Sequence, residues 1–266
     1  RAFVLDGALD PARGFEEVTR EQAMGFDSAL NAFFDDCAKN GCGFGGDDAR
    51  SAYEKLAAQI DAETLPAEVG GEERELGPGE FDLGVATALY AGKSGWEVLA
   101  DGLRDAASGD GSILVSLSDT YTGRETDAEY DNSFEAFLGI GCLDAPAPTI
   151  DELGKMADDI AADAPYFGEA TAWLSAPCSL WPVPAELTPG PVTAAGAPPI
   201  VVIGTSNDPA TPLEWAESLA DELQSGHLIT FQGEGHTAYA QGNGCVDDAV
   251  DDYLVDLQVP EDGLKC

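Results

Sequence analysis

Only two histidines occur in 266 residues, so few side chains here can exchange protons near neutral pH. His236 lies in Gly233-Glu234-Gly235-His236, a glycine-rich turn after the run His227-Leu228-Ile229-Thr230-Phe231. Asp208 lies in Thr205-Ser206-Asn207-Asp208-Pro209-Ala210-Thr211-Pro212, after the run Pro199-Ile200-Val201-Val202-Ile203-Gly204. Singly, neither residue says much: Asp before Pro often starts a turn, and a histidine in a glycine loop is usually a surface residue. Their positions at equivalent ends of successive strands change that. In parallel sheets the carboxyl ends of the strands share one edge, and ligands bind there. A carboxylate beside an imidazole fixes its tautomer and stabilises the imidazolium formed during proton transfer. The pair is the acid–base half of a Ser-His-Asp system. His227 opens its strand instead of closing one and is read as structural.

These positions depend on the elements around them. The β-branched run 199–204 does not alternate, which suits a parallel strand covered on both faces. Thr211 is expected to cap a helix with Pro212 at its first position and Glu214 completing a capping box. That helix carries Leu213, Ala216, Leu219, Ala220 and Leu223 on one face and ends at Ser225-Gly226. A last helix from about 245 buries Val246, Ala249, Val250, Tyr253 and Leu254. Strand, loop, helix, strand, loop, helix implies a parallel sheet with crossover connections. Residues 1–7 read as a short buried strand closed by Asp6-Gly7. Between these parts the periodicity is helical, at about 21–37, 48–60, 81–90, 95–108, 132–139 and 150–164. Residues 66–79 read as an acidic loop. Almost nothing from 15 to 191 alternates with period two. The expected organisation is a core strand and turn at 1–14, a helical insertion at 15–190, and a core with the Asp and His loops at 191–266.

Composition removes several classes. Lys and Arg number 12 against 50 Asp and Glu, a formal charge of −38. A phosphate backbone needs clustered cations, so nucleic acid is excluded as a partner. No apolar stretch is long enough to span a membrane. The acidity gives a strongly solvated surface. The six cysteines fall into sequence-local pairs, Cys37 with Cys42, Cys142 with Cys178, and Cys245 with Cys266. Six cysteines admit many pairings, and this one rests on proximity and order alone. An even count in such a chain points to an oxidising compartment, secreted or at the cell envelope. No zinc spacing is present, so no metal is expected. The acidic stretch 127–135 lacks the glycine and glutamate positions of a calcium loop.

At these residues the chain resembles the C-terminal part of secreted bacterial tripeptidyl aminopeptidases, serine peptidases of the α/β-hydrolase superfamily. The resemblance is carried by Val4-Leu5-Asp6-Gly7, the helix end at Cys37, Gly141-Cys142-Leu143-Asp144, Pro165-Tyr166-Phe167-Gly168 and Cys178-Ser179-Leu180-Trp181-Pro182. It is carried most firmly by residues 203–212 and Gly233-Glu234-Gly235-His236-Thr237, then by Cys245-Val246-Asp247 and Cys266. It implies an α/β fold with a large, mainly helical cap at about 15–191, Asp208 as triad acid, His236 as general base, no cofactor, and a peptide substrate with a free N-terminus. The chain order, Asp before His with the nucleophile ahead of both, is that of the superfamily. Yet no Gly-x-Ser-x-Gly elbow occurs. Gly92-Lys93-Ser94-Gly95-Trp96 and Gly204-Thr205-Ser206-Asn207 both fail the pattern. The nucleophile is therefore expected outside this chain, on an N-terminal segment of the same enzyme, and the chain by itself is expected to be inactive. Two competing readings stand beside this one: an esterase of the same fold, and a non-catalytic binding fragment. Retention of both Asp208 and His236 argues against the fragment.

Overall fold

The computed structural model describes residues 1–125 and 128–266. The chain forms two compact units, one of Arg1–Ala29 with Cys142–Cys266 and one of Leu30–Gly141. Along the chain, β1 (Phe3–Asp6) is followed by the long helix α1 (Phe15–Asn40), within which the first division between units falls.

The second unit continues with α2 (Ala49–Ala62), whose first turn is capped by Asp48 accepting from Ser51 N at 3.0 Å. Next comes an antiparallel hairpin, β2 (Leu65–Val69) and β3 (Glu72–Leu76), where the sequence suggests a loop. The alternation is short but genuine: Leu65 and Ala67 are buried while Pro66 and Glu68 are exposed. Gly70 and Gly71, both at positive φ, supply the two-residue turn. Pro66 and four glutamates obscure the pattern, because both residue types are depleted in strands. The helices α3 (Pro78–Tyr90), α4 (Lys93–Ala107), α5 (Ser112–Thr122) and α6 (Ser133–Asp144) follow. Gly84 lets α3 approach α5 closely, since a Cβ there would lie 2.4 Å from Leu114 O. An aromatic core links Phe34 to Tyr53 at 5.4 Å and Tyr53 to Phe81 at 5.2 Å between ring centroids. Asp119 receives Arg74 at 3.1 Å and Arg124 at 3.6 Å. The disulfide Cys37–Cys42 closes the turn after α1. Of the acidic stretch weighed for calcium, Asp127 lies outside the described residues.

The chain returns to the first unit with α7 (Ile150–Asp163), α8 (Gly168–Leu174) and α9 (Ala176–Ser179). Thr149 and Glu152 form a reciprocal capping box at the start of α7. Cys142–Cys178 ties the end of α6 to α9. Then come β4 (Ile200–Asn207), α10 (Leu213–Glu222), β5 (Gly226–Glu234), α11 (Gly244–Asp256) and the two-residue β6 (Leu264–Lys265). The four strands form one parallel sheet in the order β1-β4-β5-β6. β4 is central and buried through its first six residues, as its unbroken apolar run requires. Val201 and Ile203 pack with Val246, Val250 and Tyr253 on one face, and Ile200 and Val202 with Ala216, Leu219 and Leu223 on the other. β1 is half-exposed instead of buried, with Phe3 at 55% exposure, because it is an end strand of the sheet. The architecture is α/β: a parallel sheet with crossover helices and substantial additional helix.

Within this unit Asp27 of α1 is 6% exposed and accepts from Phe167 N at 2.9 Å and Tyr166 N at 3.2 Å. Burial pushes its carboxyl up to about 6, outweighing the two backbone bonds that lower it. Between the ordinary aspartate range and about pH 6 the native state thus holds a proton that the unfolded chain has lost. Stability from this residue is complete at acid pH, falls as pH rises through that window, and is flat above it, by up to about 3 kcal/mol. Asp27→Asn is expected to remove that slope. Unfolding midpoints of both proteins from pH 4 to 7 check this; parallel curves would refute it.

Candidate active site

Each candidate residue sits in a loop that a strand of the central sheet delivers. β4 and β5 run parallel with Ile203 opposite Ile229, and the pairing continues to Asn207 opposite Glu234 after a bulge. The loops that follow therefore leave from the same edge, and they meet. His236 Nδ1 lies 3.0 Å from both carboxylate oxygens of Asp208. Asp208 is 3% exposed, while the imidazole is partly open to solvent.

The carboxylate is held from several sides. Oδ1 accepts from Ala210 N and Thr211 N, both at 2.9 Å. Oδ2 accepts from the Thr211 hydroxyl at 3.0 Å and from Thr237 N at 3.4 Å. A carboxylate can only accept, so Nδ1 carries the ring proton and Nε2 holds the lone pair. Thr211 Oγ1 also lies 3.2 Å from Nδ1. This corrects the expected capping box: the N-cap of α10 is Pro212, with no side-chain cap bond. The Thr211 hydroxyl is used on Asp208 instead. Thr211→Val keeps the branched shape and removes the hydroxyl. It is expected to lower kcat about tenfold with little change in KM, from loss of a hydrogen bond to a charged group. Steady-state kinetics of the full-length enzyme check this, and an unchanged kcat would refute it.

The two loops are also clasped to each other. Asn207 donates from Nδ2 to Glu234 Oε2, and its own Oδ1 accepts from Ser28 Oγ of α1 at 2.8 Å. Ser206 Oγ donates to Gly233 O at 3.2 Å. Gly25 lets α1 reach the Asp208 loop, where a Cβ would lie 2.7 Å from Pro209 O. A cleft of about 390 Å³ opens there, lined by Arg13, Glu21, Ser28, Asn207, Asp208 and Glu214 among others. It touches Asp208 but not His236.

The two serines weighed as elbow candidates are placed elsewhere. Ser94 sits in the first turn of α4, its hydroxyl donating to Ala91 O at 2.8 Å, and the preceding element is α3, not a strand. Ser206 lies on β4 itself. His227 lies at the start of β5, opposite Val201 and at the far end of the strand from His236. Four residues to which the sequence assigned no role at the site lie at it or beside it: Thr211, Asn207, Glu234 and Asp6. The legible signal for Asp6 was an aspartate closing a strand at the ligand-bearing edge.

The six cysteines form Cys37–Cys42, Cys142–Cys178 and Cys245–Cys266. Among the described residues no helix is long and apolar enough to cross a membrane.

Residues 164–266 match a family model described as TAP-like protein, one of the α/β-hydrolase models. The whole chain aligns with a protein named carboxylesterase B from Mycobacterium tuberculosis, 39% identical and covering 52% of that protein. It aligns equally with one named serine protease Hip1 from the same species, at 38% identity over 53% of that protein. A tripeptidyl aminopeptidase of Streptomyces lividans matches at 26% identity, again over the whole chain and 50% of its own length. The chain thus spans about half the length of these relatives. The stretch that matches this TAP-like α/β-hydrolase model, residues 164–266, holds both Asp208 and His236.

Proposed function

We propose that this chain is the C-terminal part of a serine hydrolase, an aminopeptidase that releases short peptides from free N-termini. Asp208 and His236 serve as its acid and base. The observation that carries the reading is the seat of His236 Nδ1, 3.0 Å from both oxygens of a buried carboxylate at the ligand-bearing edge of a parallel sheet. The nucleophilic serine is proposed to lie on a segment outside this sequence. Three facts favour that: no elbow motif occurs, the relatives are about twice as long, and β1 is an end strand paired only with β4 among the described residues.

In the proposed mechanism the serine Oγ attacks the scissile carbonyl carbon while its proton passes to His236 Nε2. Asp208 holds the ring and stabilises the imidazolium. Backbone N–H groups outside this chain hold the oxyanion. The Nε2 proton then passes to the leaving amine as the C–N bond breaks, and water hydrolyses the acyl-enzyme by the same route. No cofactor is required. Residues 15–190 are proposed as a cap over the site, and carboxylates among them as the receptor for the substrate ammonium, which suits so acidic a chain. Three disulfides favour a secreted or envelope location.

An esterase is the second reading, favoured by the relative named carboxylesterase B. Kinetics on peptide nitroanilides with free and blocked N-termini, against p-nitrophenyl esters, separate the two. The hydrolase reading itself is tested by a fluorophosphonate probe and mass spectrometry of the full-length protein. Label on a serine outside these 266 residues is expected. Label within them, or none at all, overturns the proposal.

A further inference from the structure

The segment after β5 adopts an unusual backbone. Gly235 has φ +99°, and the non-glycine residues Thr237 and Ala240 have φ +66° and +61°. Left-handed conformations at residues with a Cβ cost free energy and persist only when the surroundings hold them. Between these two residues, the successive backbone N–H groups of Ala238 and Tyr239 point at one acceptor, the carboxylate of Asp6. Ala238 N lies 3.1 and 3.0 Å from its two oxygens, and Tyr239 N lies 2.8 Å from Oδ2. Successive N–H groups in such a turn form an anion-binding concavity, and here the anion is a side chain from the carboxyl end of β1, which β4 separates from β5. Asp6 is itself fixed by register, opposite Ile203 on β4, and Gly7 N continues the ladder to Ile203 O at 3.1 Å. Gly7 then forms the floor under the imidazole: at φ +64°, a Cβ there would stand 2.7 Å from His236 Cε1 and 3.2 Å from Nδ1.

We infer that Asp6 is a positioning residue for His236: its carboxylate fixes the strained 237–240 backbone and thereby seats the imidazole between Gly7 and Asp208. The inference rests on the proposed role of His236 as base. Asp6 touches no reacting atom. Its effect is to keep Nε2 aimed at the nucleophile, and misplacements of about 1 Å at such a group can cost roughly 10²-fold in rate. A carboxylate can accept from both N–H groups at once. Oδ2 takes both N–H groups and Oδ1 takes Ala238 N as well, so an asparagine with its oxygen at Oδ2 sets its NH₂ against Ala238 N and loses the charge that holds the turn.

The test uses the full-length enzyme, with the rate of fluorophosphonate labelling as readout, because labelling needs the activated serine but no particular substrate. Asp6→Asn is expected to lower the maximal labelling rate by about 10- to 100-fold with the probe's half-saturation constant within twofold. In a His236→Ala background the same substitution is expected to cause no further loss, because Asp6 acts only through the imidazole. An additional loss in that background, a change mainly in half-saturation, or wild-type labelling by Asp6→Asn overturns the inference. Should Asp6→Asn not fold, Asp6→Ser, smaller and still an acceptor, is read in the same way. Full labelling by His236→Ala alone refutes the base assignment instead, so the two failures are distinct.

Discussion

Replacing His236 by Ala in the full-length enzyme is expected to lower kcat by roughly four to six orders of magnitude, with KM within a few-fold. The size follows from what the ring does at the proposed site. It takes the nucleophile's proton, carries the positive charge that Asp208 offsets, and returns the proton to the leaving group. Nothing nearby can take over. The other histidine, His227, lies at the opposite end of β5, more than ~20 Å along the strand. The imidazole is partly exposed and its floor is a glycine, so its removal opens no sealed core cavity. The unfolding midpoint is therefore expected to change little, which separates lost chemistry from lost structure. Turnover within tenfold of the unsubstituted enzyme would exclude His236 as the base.

Asp208→Asn is expected to cost roughly 10⁴-fold in kcat with the fold retained. Oδ1 already accepts from two backbone N–H groups, Ala210 and Thr211. The asparagine oxygen therefore takes that place, and its NH₂ takes the place of Oδ2, where the Thr211 hydroxyl can rotate to accept and only the long 3.4 Å bond from Thr237 N is given up. The NH₂ then faces His236 Nδ1, which must accept instead of donate. The ring proton moves to Nε2, leaving no lone pair for the nucleophile. The loss comes from the wrong tautomer, not from disorder. A structure of the variant should show an unmoved ring. A kcat within tenfold of the unsubstituted enzyme, or a displaced ring, would reject the argument.

What could be read from the residues divides along physical lines. The run 199–204 was legible because a strand buried on both faces shows an unbroken apolar stretch, and the Asp and His loops follow by position. Most of the amphipathic helices were legible from their spacing, but α5 was not among those expected. The β2–β3 hairpin was not: Pro66 and its run of glutamates suppress strand propensity, and its turn is Gly70-Gly71 among other loop-like residues. β6 has two residues and owes its place to pairing with β5, a tertiary effect no local pattern carries. Thr211 was misread for an instructive reason. A threonine before Pro212 fits a helix cap well, but the hydroxyl meets a buried carboxylate first, and only the fold brings the two together. Asp6 belongs to the same class, because its partners lie more than 230 positions away.

The outer side of β5 has a consequence for how the molecule behaves in a crowded solution. A nine-residue strand with an unpaired flank is a template for joining other strands. Here the flank is occupied at residues 228–230: Leu228 N donates to Asp262 Oδ1 and Leu228 O accepts from Gly263 N, while Thr230 O accepts from Cys266 N. The segment that does this is too short to hold itself in place. Its tether is the Cys245–Cys266 disulfide, which ties it to the first turn of α11. That cross-link therefore works as a guard against self-association as well as a stabiliser of the fold. Under reducing conditions the sheet would expose adhesive backbone before it lost its core, so colloidal behaviour would fail earlier than folding.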